Sequence, residues 1–194
     1  MMPDPIPGWT SEGVLPPVHP DALPTARERS PYRVSLIDLV LRYAMSTERN
    51  AILQGFLSFR KALNDVGLDQ GFQWVDGSFA ENIELIGVRP PNDIDVVTFC
   101  YVPDKQGQEE MVHRAPRLFV HAHIKEDYRV DSQFVQLNGR MPESLVDDAT
   151  YWYSLWSHNR TGQWKGYVQL DLSSADDQIT QAYLDKAVNQ GGQE

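Results

Sequence analysis

The residues from Phe72 to Phe99 leave this chain the fewest ways to fold. Phe72 to Val75 have the make-up of a short strand, and Asp76-Gly77-Ser78 has the residue types of a tight turn that stops it. Phe79 to Leu85 can follow as a short helix, whose first amides join those of Gly77 and Ser78 in a concave set of donors suited to a phosphate. A Gly/Pro-rich turn over 87–91 leads into Asp93-Ile94-Asp95-Val96-Val97, the start of a second strand. Side chains alternate along a strand, so Asp93 and Asp95 project from one face while Ile94 and Val96 project from the other. A phosphate cradle opposite two parallel carboxylates is the donor set for metal-assisted phosphoryl or nucleotidyl transfer. The carboxylates hold Mg²⁺, and Mg²⁺ neutralises and orients a triphosphate.

Composition narrows the class further. A chain of 194 residues is long enough for one domain with a substantial core. No apolar run is long enough to span a bilayer, and the opening Met-Met-Pro-Asp-Pro lacks the charged-then-apolar signal pattern, so no membrane partner is expected. The single cysteine, Cys100, excludes an internal disulfide and falls in an apolar run, which reads as a buried thiol in a reducing, cytoplasmic compartment. The formal charge of −10 repels polyanions at long range, which argues against duplex DNA as a partner. It leaves room for a metal-bound nucleoside triphosphate, or for a short RNA end held by a local basic patch.

Residues 1–31 carry eight prolines and should form an extended, irregular arm, with Ile6, Trp9, Val14 and Leu15 docking it as a passive strap on the domain formed by 32–194. Ser35 should cap a helix with Leu36, Leu39, Val40 and Tyr43 on its apolar stripe. A second helix, capped at Ser46 or Thr47, buries Ile52, Phe56, Phe59 and Leu63, stops at Gly67 and leaves Arg49, Arg60 and Lys61 solvated. Residues 103–108 read as a turn, 109–118 as a helix with Pro116 marking its end or a kink, and 119–124 as a strand or bend. Arg129 to Leu137 reads as a strand bearing Asp131. Pro142 to Trp156 reads as a helix, Trp164 to Leu172 as the last strand. A terminal helix buries Ile179, Tyr183 and Val188, and 191–194 fray. His113, His121 and His123 have no further ligand at a matching distance, so polar histidines near a loop are favoured over zinc.

Gly77-Ser78 followed by Asp93-x-Asp95 resembles the signature of the nucleotidyltransferase superfamily that includes DNA polymerase beta, the aminoglycoside nucleotidyltransferases and the minimal nucleotidyltransferases. Fourteen residues, 79–92, separate Ser78 from Asp93, somewhat more than is usual, and the 87–91 turn can absorb them. Over most of its length the chain is similar to small bacterial nucleotidyltransferase-like proteins of unknown function, through Gly13-Val14-Leu15-Pro16-Pro17, Ser30-Pro31-Tyr32-Arg33-Val34-Ser35 and Trp164-Lys165-Gly166.

The resemblance implies an α/β nucleotidyltransferase fold, a small mixed sheet flanked by helices. It implies a third carboxylate on a neighbouring strand, best matched by Asp131, with Asp93, Asp95 and Asp131 holding Mg²⁺ or Mn²⁺. Gly77 and Ser78 would bind the β- and γ-phosphates of ATP or another nucleoside triphosphate. Arg160, Lys165 and Arg89 are candidates for a basic triphosphate contact by chemistry alone. The nucleoside monophosphate would pass to a hydroxyl of a protein, an RNA 3′ end or a small molecule, and toxin–antitoxin or phage-defence systems are a setting for such small enzymes. A catalytically silent module that binds a nucleotide or a partner protein is the alternative.

Overall fold

A computed structural model describes residues 5–191, without the side chains of residues 189 and 190. The first four residues of the arm and the last three of the chain, expected to fray, lie outside the described residues; Gly191, also expected to fray, closes the last helix. Five strands form one mixed sheet: β1 (Tyr32–Arg33), β2 (Gly71–Asp76), β3 (Ile94–Cys100), β4 (Val130–Gln136) and β5 (Val168–Asp171), in the order β1-β5-β2-β3-β4. The outer pairs β1/β5 and β3/β4 are parallel, while β2 runs antiparallel to both neighbours. The protein is therefore mixed α/β, with helices on the sheet.

Two of the helices form as their caps and stripes dictate. Ser35 and Asp38 close a capping box at the start of α1 (Leu36–Tyr43), and the Ser46 hydroxyl accepts from the Arg49 amide at the start of α2 (Thr47–Asp65). Leu36, Leu39, Val40 and Tyr43, then Ile52, Phe56, Phe59 and Leu63, all enter the core. Arg49 and Arg60 overturn the expectation of a solvated charged face, being 0% and 3% exposed; Lys61 meets it. Burial of a guanidinium is tolerable only when its donors are met. Arg60 achieves this through Gln73, the carbonyls of Asp171 and Ser173, and Asp177.

Strand alternation divides the core in two. Val75, Ile94, Val96, Val130 and Leu170 face the large cluster with α1 and α2, and it also takes in Leu184 of α7 (Asp177–Gly191). Trp74, Val97, Phe99 and Val135 face a smaller aromatic cluster with Tyr167 and with Trp156 of α6 (Pro142–Trp156). By the same alternation Asp76, Asp95 and Asp131 belong to the smaller side. In α7 the stripe is rotated from the expected phase: Leu184 and Thr180 are buried, Ile179 and Tyr183 are exposed, and Val188 packs partly against the core as expected.

Four segments differ from the sequence reading, one of them the last strand, which spans only Val168–Asp171 of the expected 164–172. Residues 79–82 form turns, and only Ile83–Ile86 are helical (α3). Asp104 accepts from the Gly107 amide at 2.9 Å, which starts α4 (Lys105–Arg114) inside the expected turn, and the helix stops at Arg114, just before Pro116 opens a 3₁₀ turn. His121–Tyr128 is a helix, α5, not a strand or bend. Ile124 and Tyr128, one turn apart, both reach the large cluster, and that contact overrides the His-x-His alternation.

The arm is woven into the domain. Ile6, Val14 and Leu15 are buried, and the Gly166 amide donates to the Leu15 carbonyl at 2.7 Å. The Tyr167 amide donates to the Ser30 hydroxyl, and the Tyr32 amide to the Tyr167 carbonyl. The stretches 13–17, 30–35 and 164–166 thus meet at one seam.

Candidate active site

Topology brings the acidic residues together. β3 and β4 are parallel with Asp95 opposite Asp131, and antiparallel β2 places Asp76 opposite Asp95. The turn leaving β2 therefore emerges at the same sheet edge where β3 and β4 begin. Gly77 has φ +77° there, and a Cβ on it would lie 1.6 Å from Asp95 Oδ2. Glycine is required twice over, by the left-handed backbone and by the carboxylate against its α-carbon.

The segment after Gly77 is held from behind. Arg49 donates from Nη1 to the Phe79 carbonyl and from Nη2 to the Glu81 carbonyl, each at 2.7 Å. Trp9 Nε1 donates to the Ala80 carbonyl at 2.8 Å, and the Asn82 amide donates to the Gly13 carbonyl. Consecutive carbonyls are thereby drawn toward α2 and the arm. Among the described residues the amides of Ser78 and Phe79 donate to no protein acceptor. The arm, expected to be a passive strap, helps to shape this turn.

An open cleft of about 800 Å³ lies over the edge, and its walls include Gly77, Ser78, Asp93, Asp95, Asp131, Arg160 and Lys165. Every site residue singled out from sequence thus lines one cavity, as does Arg89. Their roles differ. Asp93 and Asp131 share the ammonium of Lys125 from α5, at 2.7 and 2.9 Å. Asp131 Oδ1 also lies 2.7 Å from His121 Nε2. Arg160 stands exposed on the loop after α6. Lys165, only 3% exposed, is bonded to Asp76, with Glu81 at 3.3 Å, and so sits beneath the cradle as an internal cation.

Burial, neighbouring charges and hydrogen bonds together set the protonation of this edge. It pushes the Asp95 carboxyl up to about 6, and the neighbouring charges of Asp93 and Asp131 push the same way. Burial would raise Asp131 too, but hydrogen bonds from His121 and Lys125 outweigh it and hold that carboxyl below the ordinary value. Burial alone would lower Lys165, yet Asp76 and Glu81 keep its ammonium protonated.

The carboxylate set suits a hard cation. All three groups are oxygen donors, and the Lys125 ammonium already marks the point between two of them as cation-binding. Among the described residues no three His, Cys, Asp or Glu side chains close on one point as a complete cage. Mg²⁺ does not need one, since it is commonly held by one or two carboxylates together with substrate phosphates and water.

The model of a family of unknown function, DUF6932, matches residues 7–171. The chain belongs to that family. In this DUF6932 chain the matched span takes in the arm from Pro7, every cleft-lining residue named above and the whole sheet, and it stops at the last residue of β5. No curated protein and no solved structure matches the chain.

Lys125 and Arg49 are the site-forming residues that sequence reasoning missed; His121, read as a polar histidine that could contact a phosphate or nucleobase, lies against Asp131 instead. His121 and Lys125 stand four residues apart, which on a helix puts both on one face toward Asp131; the signal is invisible once 119–124 is taken for a strand. Arg49 carries no local signal, because its partners lie thirty or more residues away.

Proposed function

We propose that this chain is a divalent-metal-dependent nucleotidyltransferase of the polymerase beta-like fold, moving a nucleoside monophosphate from a nucleoside triphosphate to an acceptor hydroxyl. The observation that carries the reading is the single cleft in which the Gly77-Ser78 turn touches Asp95 while Asp93 and Asp131 stand beside it. Asp93, Asp95 and Asp131 would hold Mg²⁺ or Mn²⁺, which when bound neutralises and aligns the triphosphate. The Ser78 hydroxyl and the amides of Ser78 and Phe79 bind phosphate oxygens, and the exposed Arg160 guanidinium supplies positive charge within the same cleft. Asp131 orients the attacking hydroxyl and takes its proton at Oδ2. The acceptor oxygen bonds to the α-phosphorus as the bond to the β-phosphate oxygen breaks, and pyrophosphate leaves in line. The buried Lys165 acts from below, fixing Asp76 and Glu81 on either side of the cradle.

A silent nucleotide-binding module is the second reading, favoured by one observation. Lys125 neutralises Asp93 and Asp131 without any metal, so the carboxylates can persist in a protein that does no chemistry. Incubation with each α-labelled nucleoside triphosphate, Mg²⁺ and a bacterial lysate separates the two. Label entering protein, RNA or a small molecule, and lost in Asp131→Asn by orders of magnitude with nucleotide binding retained, supports transfer and names the acceptor class. Firm Mg²⁺-dependent nucleotide binding with no label in any fraction supports the silent module.

A further inference from the structure

We propose that Lys125 is a built-in counter-cation, bridging Asp93 and Asp131 in the free protein and giving them up for the phosphates of an incoming metal-bound triphosphate; this rests on the nucleotidyl-transfer reading. Its Nζ lies 2.7 Å from Asp93 Oδ2 and 2.9 Å from Asp131 Oδ2, the place a divalent cation shared by these groups would take. Three carboxylates opening on one cleft repel one another, and an ammonium among them relieves the repulsion at no cost in bound metal. The side chain is free enough to move: it is half-exposed, on the last turn of a short helix, and lines the cleft that contains Gly77 and Ser78. Lysine carries its charge on a flexible four-carbon stem, so the head group can change partners without a backbone shift.

The second hydrogen bond on Asp131 makes the exchange clean. His121 Nε2 holds Oδ1 at 2.7 Å, so departure of Lys125 frees Oδ2 alone and leaves the carboxylate oriented. Asp95 makes no bond to Lys125 and keeps its place against Gly77 throughout. A bare divalent ion must displace the ammonium into solvent, whereas a metal–triphosphate offers it new anionic partners. Metal and nucleotide therefore bind with positive coupling, and Lys125 is the source of it.

The test is Mn²⁺ titration, by calorimetry and by the paramagnetic resonance of free Mn²⁺, with and without a non-hydrolysable nucleoside triphosphate analogue. Wild type, K125M and K125Q are compared. Removal of the competing charge should let both variants take bare Mn²⁺ about tenfold tighter, while the analogue in Mn²⁺ binds about tenfold weaker. A lysine that merely braced the carboxylates gives the opposite sign, weaker Mn²⁺ binding on its removal. Equal or weaker binding of bare Mn²⁺ in both variants overturns the proposal. Asp95→Asn in the wild-type background separates it from the broader reading. If Mn²⁺ binding depends on Asp95 but is not tightened by K125M or K125Q, only the role of Lys125 fails. If no variant binds Mn²⁺ even with the analogue present, the metal-dependent function fails and the counter-cation with it.

Discussion

The Arg49 guanidinium meets the Glu84 carboxylate edge to edge, Nε to Oε1 at 2.6 Å and Nη2 to Oε2 at 2.8 Å. The pair ties α2 to α3, and the donors left over hold the carbonyls of Phe79 and Glu81. Glu84 is responsive to this contact, since the hydrogen bond from Arg49 holds its carboxyl below the ordinary value against the effect of burial. Arg49→Met should cost about 2–4 kcal/mol in urea denaturation, the range for breaking a buried, multiply bonded ion pair with one end partly wet. Arg49→Lys should recover little, because an ammonium cannot reproduce a fork with four acceptors. A loss below about 1 kcal/mol in Arg49→Met means that the segment behind the cradle does not need the clamp.

Gly77 offers a second point of attack. Gly77→Ala must place its Cβ where Asp95 Oδ2 now lies and hold an L-residue at φ +77°. We expect a loss of about 1–3 kcal/mol in stability and a much larger loss of triphosphate-analogue affinity than in Ser78→Ala, which removes one hydroxyl. Equal affinities across wild type and both variants would put the nucleotide somewhere other than this turn.

Leu15 tests whether the arm belongs to the fold. It is buried at the seam, whereas Leu23, on the same arm, is 73% exposed. Leu15→Ala should lower stability by about 2–4 kcal/mol and Leu23→Ala by less than about 0.5 kcal/mol. Similar small effects in both would show the arm resting on the domain without supporting it.

Cys100 supplies a pH prediction. Burial pushes its thiol up to about 11, so the folded state holds the proton through a range in which an unfolded thiol, ionising near 9, has lost it. The stability this contributes is present below pH 9 and drains away between about 9 and 11. The native protein should resist a thiol reagent at pH 8 and react once urea unfolds it. Rapid modification of native protein at pH 8 would contradict a buried Cys100.

The sequence made the acidic edge legible because alternation is local: Asp93, Asp95 and Asp131 each sit in a strand-like run whose apolar neighbours fix the facing. Lys125 and Arg49 were illegible for the opposite reason. A buried arginine on an amphipathic helix looks like a solvated one until the chain supplies carbonyls from residues 79 and 81. Lys165 was visible as a basic residue near the site, but only the packing of Asp76 and Glu81 around it distinguishes an internal cation from a surface phosphate contact. The turns at 79–82, expected as helix, form where Arg49, Trp9 and the arm satisfy backbone groups that a helix would otherwise satisfy itself.

The seam between the arm and the lead-in to β5 also sets a timetable. Ser30 and Tyr167, bonded to each other, stand 137 residues apart in sequence. At ordinary rates of translation, on the order of ten seconds separate the appearance of one from that of the other. The arm can meet Ala80 and Asn82 earlier, but Leu15 and Ser30 wait for Gly166 and Tyr167. The 13–17 and 30–35 sides of the seam are therefore seated on it only when the chain has grown past Tyr167, and a nascent chain carries the seam unfinished until then.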